Sequence, residues 1–368
     1  MQADIISRTR DFYSMKKGAK ILQQEFGYYS MDRWVAEGHI KDVEELHKLC
    51  GIEERGMQYF GNLGWCEAEF HPYFEIKVIK DQGEHELVQD HAGRHVLYFK
   101  GRRHGFMPEY VDHPVKDRDT WERNIKWRMA PEAPGRFDYL PETAQKLKAH
   151  AAKGGMVGQQ VIGGYMYLRS LVGPEGTLYM VYDNPALIHD MMQTWFDLAD
   201  HVIAQHQKIL SLDELFLAED ICYNHGPLIS PDMMREFLFP YYQQLIANIK
   251  KRQQDPTRHM YIQIDTDGDC RPVIPVYQEI GMDYMSPFEA ASNCDVVELR
   301  KQYPDLLMRG GIDKRILAQD KEAIDRMIDR IMPFMQKNGG YIPTCDHGVP
   351  EEVSFENFVY YRKRLKEF

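Results

Sequence analysis

From about Pro141 to its end, this chain alternates short apolar strand signals with longer amphipathic helix signals, and that alternation constrains its fold more than any other feature. Leu140-Pro141-Glu142 opens a helix that Gly154-Gly155 closes, and Gln160-Val161-Ile162 reads as a strand ending at Gly163-Gly164. Asn184-Pro185 supplies a cap and a proline at the first helical position. Leu187, Met191, Trp195, Leu198 and Val202 then recur at spacings of three and four, one face of a helix. The pattern continues through strand Leu215-Phe216-Leu217 and a helix from Ser230-Pro231 carrying Met234, Phe237, Tyr241 and Leu245. Strands at Met260-Tyr261-Ile262, Met285 to Phe288-Glu289, Leu306-Leu307-Met308 and Gly340-Tyr341-Ile342 follow. Between them lie helices at 275–280, from Asp295, and at 314–337, with a last one from about Phe355.

Short apolar strands separated by helices imply a buried parallel sheet with helical crossovers. The expected class is α/β, and the spacing suits a (β/α)8 TIM-type barrel better than an open doubly wound sheet. No Gly-x-Gly-x-x-Gly follows a strand, so a dinucleotide fold has no support. The first third is irregular, charged and aromatic, with turns at Glu37-Gly38-His39 and Asp81-Gln82-Gly83. Val78-Ile79 and Glu86-Leu87-Val88 suggest a hairpin around the second turn. The chain therefore reads as one barrel domain over 1–368, with 1–115 forming an N-terminal extension and irregular cap; either two further strands lie in the first third or the barrel is irregular.

A formal net charge of −11 argues against a general nucleic-acid binder, which needs a basic face. The basic runs Lys16, Lys17, Lys20 and Arg102, Arg103, His104 read as solvated surface. The cysteines Cys50, Cys66, Cys222, Cys270, Cys294 and Cys345 form no Cys-x-x-Cys pair, which suits a reduced compartment. No apolar leader or membrane-length stretch is present, so a cytoplasmic location is expected, with a homodimer as the candidate assembly.

In a parallel barrel, chemistry gathers at the C-terminal strand ends. Successive ends here carry Glu219 and Asp220; Asp265, Asp267 and Asp269; Glu289; Asp313; and Cys345, Asp346 and His347. Asp269 and Asp313 read as helix caps or turn supports. Asp265 and Asp267 stand at i, i+2, which puts both on one side of an extended chain. Two close carboxylates repel unless a cation or shared proton intervenes. Glu219, Asp265, Asp267 and His347 are thus the catalytic and metal-ligating candidates, with Cys345 a weaker ligand. Oxygen ligands with one imidazole suit zinc, manganese or magnesium. Tyr165, Tyr167, Trp65, Phe288 and Glu289 are candidates for the substrate wall.

The stretch from Tyr261 to Pro275, with its Asp265-Thr266-Asp267-Gly268, continues into Glu279-Ile-Gly-Met-Asp and Ser286-Pro287. It resembles the His-x-Cys/Asp-Gly segment of uroporphyrinogen decarboxylase-like proteins. Gly310-Gly311-Ile312-Asp313, Asp346-His347-Gly348-Val349-Pro350, Ile229-Ser230-Pro231-Asp232 and His113-Pro114-Val115-Lys116-Asp117 are also similar to segments of that superfamily. The resemblance implies a (β/α)8 barrel and one of two activities. Decarboxylases grip a tetracarboxylate through an N-terminal Arg-Gln-Ala-Gly-Arg, and no such motif stands near this start. The other branch moves methyl groups between a small substrate and cobalamin on a partner corrinoid protein. In its thiol-using members zinc sits on His-x-Cys and a later Cys; the matching positions here are Asp265, Asp267 and His347. The expectation is therefore an O-demethylase methyltransferase, as in anaerobic bacteria, acting on an aryl methyl ether. A phenol near pKa 10 leaves more readily than an alkoxide related to water at about 15.7, a gap worth roughly 8 kcal/mol if full charge develops. The alternative is a decarboxylase or other lyase acting on a small carboxylated molecule, which would need an arginine-lined pocket, with Arg169 and Arg309 as candidates.

Overall fold

A computed structural model describes residues 2–101 and 108–368; Arg102, Arg103 and His104 lie outside the described residues. The strands, in chain order, are β1 (Met57–Phe60), β2 (Lys77–Gln82), β3 (His85–Gln89), β4 (His95–Phe99), β5 (Glu109–Asp112), β6 (Met156–Ile162) and β7 (Glu214–Ala218). There follow the two-residue pair β8 (Cys222–Tyr223) and β9 (Gly226–Pro227), then β10 (Tyr261–Asp265), β11 (Tyr284–Phe288), β12 (Leu307–Ile312) and β13 (Tyr341–Cys345). A curled, seven-stranded sheet runs β1-β6-β7-β10-β11-β12-β13, with every pairing parallel.

Among the described residues the first third gives this sheet one strand, β1, rather than two. Between β13 and β1 lies an extended segment instead of a ladder strand. On one side the Val349 amide donates to Gly27 O at 2.8 Å and the Tyr29 amide to Val349 O at 2.9 Å. On the other, the Glu53 amide donates to Gln23 O at 2.8 Å. In place of the expected complete barrel stands a curled seven-stranded sheet, with an irregular chain in the gap between its edge strands. The cause is local: Glu25 turns its carboxylate onto the Cys345 amide at 2.7 Å, so a side chain stands where a strand would offer its backbone.

The capping signals act as the sequence implies. Asn184 accepts from the Leu187 amide, and the helix Pro185–Gln207 buries Leu187, Met191, Trp195, Leu198 and Val202 against the sheet. Each such side chain contributes about 1.5–3 kcal/mol. Two helices differ from expectation. The one starting at Pro231 ends at Phe237 and a second runs Phe239–Arg252, because Pro240 has no amide to continue the ladder. The expected helix 314–337 is split into Lys314–Leu317 and Lys321–Asn338, the second capped by Asp320 on the Ala323 amide. The Val78/Val88 hairpin is present as β2 and β3 of an antiparallel sheet ordered β2-β3-β4-β5.

Gly310 and Gly311 lie within β12, not beyond it. Gly310 has φ +107°, and a Cβ there would stand 2.7 Å from the Phe288 amide nitrogen, so only glycine lets β12 approach β11 this closely. Inside the curl, Met57, Met156, Tyr284, Leu307 and Ile342 pack with Phe12, Tyr13 and Leu22, so the first helix (Gln2–Tyr13) and the segment behind it plug the N-terminal end. The C-terminal end stays open. Among the described residues no helix is long and apolar enough to cross a membrane.

Candidate active site

Strand parity decides which acidic residues face the interior. On β7, Phe216 and Ala218 line the space inside the curl, so Glu219 falls on the opposite face. Its carboxylate is fully buried, accepts from the Tyr165 amide at 2.8 Å and from the Tyr242 hydroxyl, and is pushed up to about 7 by burial. Glu219 therefore braces the helix layer and does not line the cavity. Its neighbour Asp220, held at φ +40°, does line it and pairs with Arg169.

A cavity of about 710 Å³ opens at the C-terminal strand ends, lined by Asp220, Asp265, Asp267 and His347. Phe26, Tyr29, Trp65, Tyr110 and Met166 give it an apolar wall. Asp265 ends β10, facing inward in register with Ala218 and Ser286. Its carboxyl makes no hydrogen bond or ion pair with a described residue. Burial, then the nearby charges of Asp267 and Asp220, push it up to about 8, against the pull of Arg309 and Arg55. At neutral pH it is therefore a carboxylic acid. Its backbone oxygen accepts from the Glu219 and Asp220 amides at 2.8 and 2.9 Å, fixing the ends of β7 and β10 to each other.

Asp267 reaches His347 Nε2 at 3.5 Å, and this contact raises the imidazole above its ordinary value. Tyr29 stacks on the same ring at 5.7 Å. Glu289 lies beneath the β10 loop: it accepts from the Gly268 amide at 2.9 Å and from Lys314 Nζ at 3.2 Å, and it does not line the cavity. Of the expected aromatic wall, only Trp65 is in place. Tyr165, Tyr167 and Phe288 are fully buried, Tyr167 donating to Met191 O at 3.2 Å. Tyr165 and Tyr167 belong to the core because neighbours cover the helix Gly164–Val172 except on the side that carries Met166 and Arg169 to the cavity, and Phe288 because it lies in the fully buried β11.

The expected metal set does not assemble. Glu219 faces the helices, and Cys345 is buried with its thiol pushed up by desolvation. Among the described residues no group of three or more His, Cys, Asp or Glu is placed to hold a metal ion. The donor set thus does not fit a zinc centre. Tyr29 and Phe26 escaped the sequence reading. Asp220 was named beside Glu219 but not chosen, because both faces of β7 are apolar and give no cue to parity.

Fold and site together define a parallel α/β protein with its reactive groups at the C-terminal strand ends. The chain belongs to the uroporphyrinogen decarboxylase family: the family model Uroporphyrinogen decarboxylase (URO-D) matches residues 103–368. It is similar to the uroporphyrinogen decarboxylase of Hydrogenobaculum sp. (strain Y04AAS1), 24% identical over 195 residues, covering 52% of this chain and 51% of that one. The chloroplastic uroporphyrinogen decarboxylase of Zea mays is 24% identical over 186 residues, 50% of this chain and 43% of the other. The chain spans about half the length of the curated relatives it matches. A methyltransferase from Methanosarcina mazei shares the fold, with a TM-score of 0.59 at 12% identity over 99% of this chain and 98% of that one.

Proposed function

We propose that this chain is a methyltransferase that takes a methyl group from an aryl methyl ether and passes it to a corrinoid protein docked over the cavity mouth. One observation carries the reading: an unpartnered carboxylic acid, Asp265, stands at the floor of an open, aromatic-walled cavity. The cobalamin of the partner would supply the nucleophile that accepts the methyl group. Asp265 would give its proton to the ether oxygen as the methyl–oxygen bond breaks, so that a neutral phenol leaves. Trp65 and Phe26 would hold the ring, and the Asp267–His347 pair would return a proton to Asp265. No metal is required in this scheme, because the acid does the work assigned to a Lewis centre.

A decarboxylase-type reaction is the second reading, favoured by the family match and by the curated relatives. Asp265 would then protonate the carbon left as carbon dioxide departs. One experiment separates the two. The protein is mixed with a cob(I)alamin-loaded corrinoid protein and a panel of methoxylated arenes, with Co(I) absorbance and carbon dioxide release both followed. Loss of Co(I) with release of a phenol supports methyl transfer. Carbon dioxide release with Co(I) unchanged supports the second reading and overturns the first.

A further inference from the structure

Below Asp265 the cavity narrows into an inner space of about 50 Å³ within the curl of the sheet, with Phe26, Trp65 and Asp265 lining both parts. Two guanidinium groups face this inner space, Arg55 from the approach to β1 and Arg309 from β12. Arg309 is only 7% exposed; one nitrogen donates to Glu25 O at 3.0 Å, but its Nε has no partner. Arg55 makes no hydrogen bond or ion pair with a described residue, and the charge of Arg309 is the largest influence on it, pulling its pKa down.

The carboxylates nearby do not neutralise them. Glu25 is spent on the Phe26 and Cys345 amides and on Arg362. Glu214 is held by the hydroxyls of Tyr13 and Tyr59, and Asp265 is protonated near neutral pH. Two like charges facing one narrow space, Arg309 buried with an orphaned donor and Arg55 exposed, leave charge-assisted donors free for an anion.

We propose that Arg55 and Arg309 form a carboxylate-binding subsite for the substrate at the inner end of the cavity. The substrate class is then an aromatic carboxylate, its ring between Phe26 and Trp65 and its reacting group beside Asp265. This rests on the reading above and sharpens it: the methyl ether is that of a methoxybenzoate rather than of a neutral phenol. A bound carboxylate also offsets the two guanidiniums that draw Asp265 toward ionisation, so binding keeps the acid proton in place.

Calorimetric titration with benzoate and its neutral isostere benzamide tests the subsite without any methyl transfer. Benzoate should bind about tenfold or more tightly than benzamide, as expected for charge-assisted pairing. Arg55→Gln, which alters a solvent-accessible residue, should abolish that preference while circular dichroism stays unchanged. Equal affinity for the two ligands, no benzoate binding, or a preference kept by Arg55→Gln would each overturn the subsite. If benzoate binds as described but no methoxybenzoate is demethylated, methyl transfer is lost and the subsite stands. If a neutral ether is demethylated and benzoate does not bind, the subsite is lost and methyl transfer stands.

Discussion

The carboxylate of Asp267 stands 3.5 Å from Nε2 of His347, joining the loop after β10 to the loop after β13 across the cavity mouth. The pair raises the imidazole pKa, so its stabilising effect is complete below the ordinary histidine value and is lost as pH rises through the raised one. Asp267→Asn should bring the His347 titration, followed by NMR, back toward about 6.5. The variant should lose under about 1 kcal/mol near pH 5, since both groups are partly exposed, and almost nothing at pH 9. An unmoved His347 titration would refute the contact.

Asp265 carries the proposed chemistry. Its carboxyl is raised to about 8, so the native state holds a proton that the unfolded chain releases near pH 4, and stability contributed by this site falls as pH rises between the two values. Turnover limited by the acid form should decline above pH 8. Asp265→Asn should lower the rate by about 10²–10⁴-fold. It should also flatten the fall of melting temperature between pH 5 and 8. Full activity in the variant would remove Asp265 from the reaction.

Glu219 is expected to matter for folding alone. Glu219→Ala would strand the Tyr165 amide and the Tyr242 hydroxyl in the interior, at a cost of about 1–3 kcal/mol. Folded protein should keep its rate per site. A rate loss as large as that of Asp265→Asn, at a temperature where the variant is folded, would contradict this placement.

Gly310→Ala should destabilise by about 1–3 kcal/mol or fail to fold, since φ +107° and the 2.7 Å approach to the Phe288 amide leave no room for a methyl group. Chemical denaturation would measure it, and a neutral result would mean that β11 and β12 are spaced differently.

The sheet strands after Pro141 were legible because each is a short apolar run bounded by caps and glycines, as at Asn184-Pro185 and Gly163-Gly164. Asp265 and Asp267 were legible because β10 stops there. What a linear pattern hides is orientation. Glu219 and Asp220 differ by one position and face opposite sides, and nothing in an apolar strand says which side is inward. Residues of the first third, such as Tyr29 and Arg55, reach the cavity through packing with strands hundreds of positions away. Periodicity does not encode that.

The irregular chain in the gap of the sheet also bears on synthesis. Gln24 O accepts from Arg362 at 2.9 Å, Gln23 Nε2 donates to Leu365 O at 3.1 Å, and Gly27 and Tyr29 bond Val349. Arg362 and Leu365 stand 338 and 342 positions downstream of the residues they bond. The segment must therefore wait, unsatisfied, until those partners are synthesised, and Phe26 and Tyr29 reach the cavity wall only then. A nascent chain stopped before Val349 would hold most of its strands and have no working pocket.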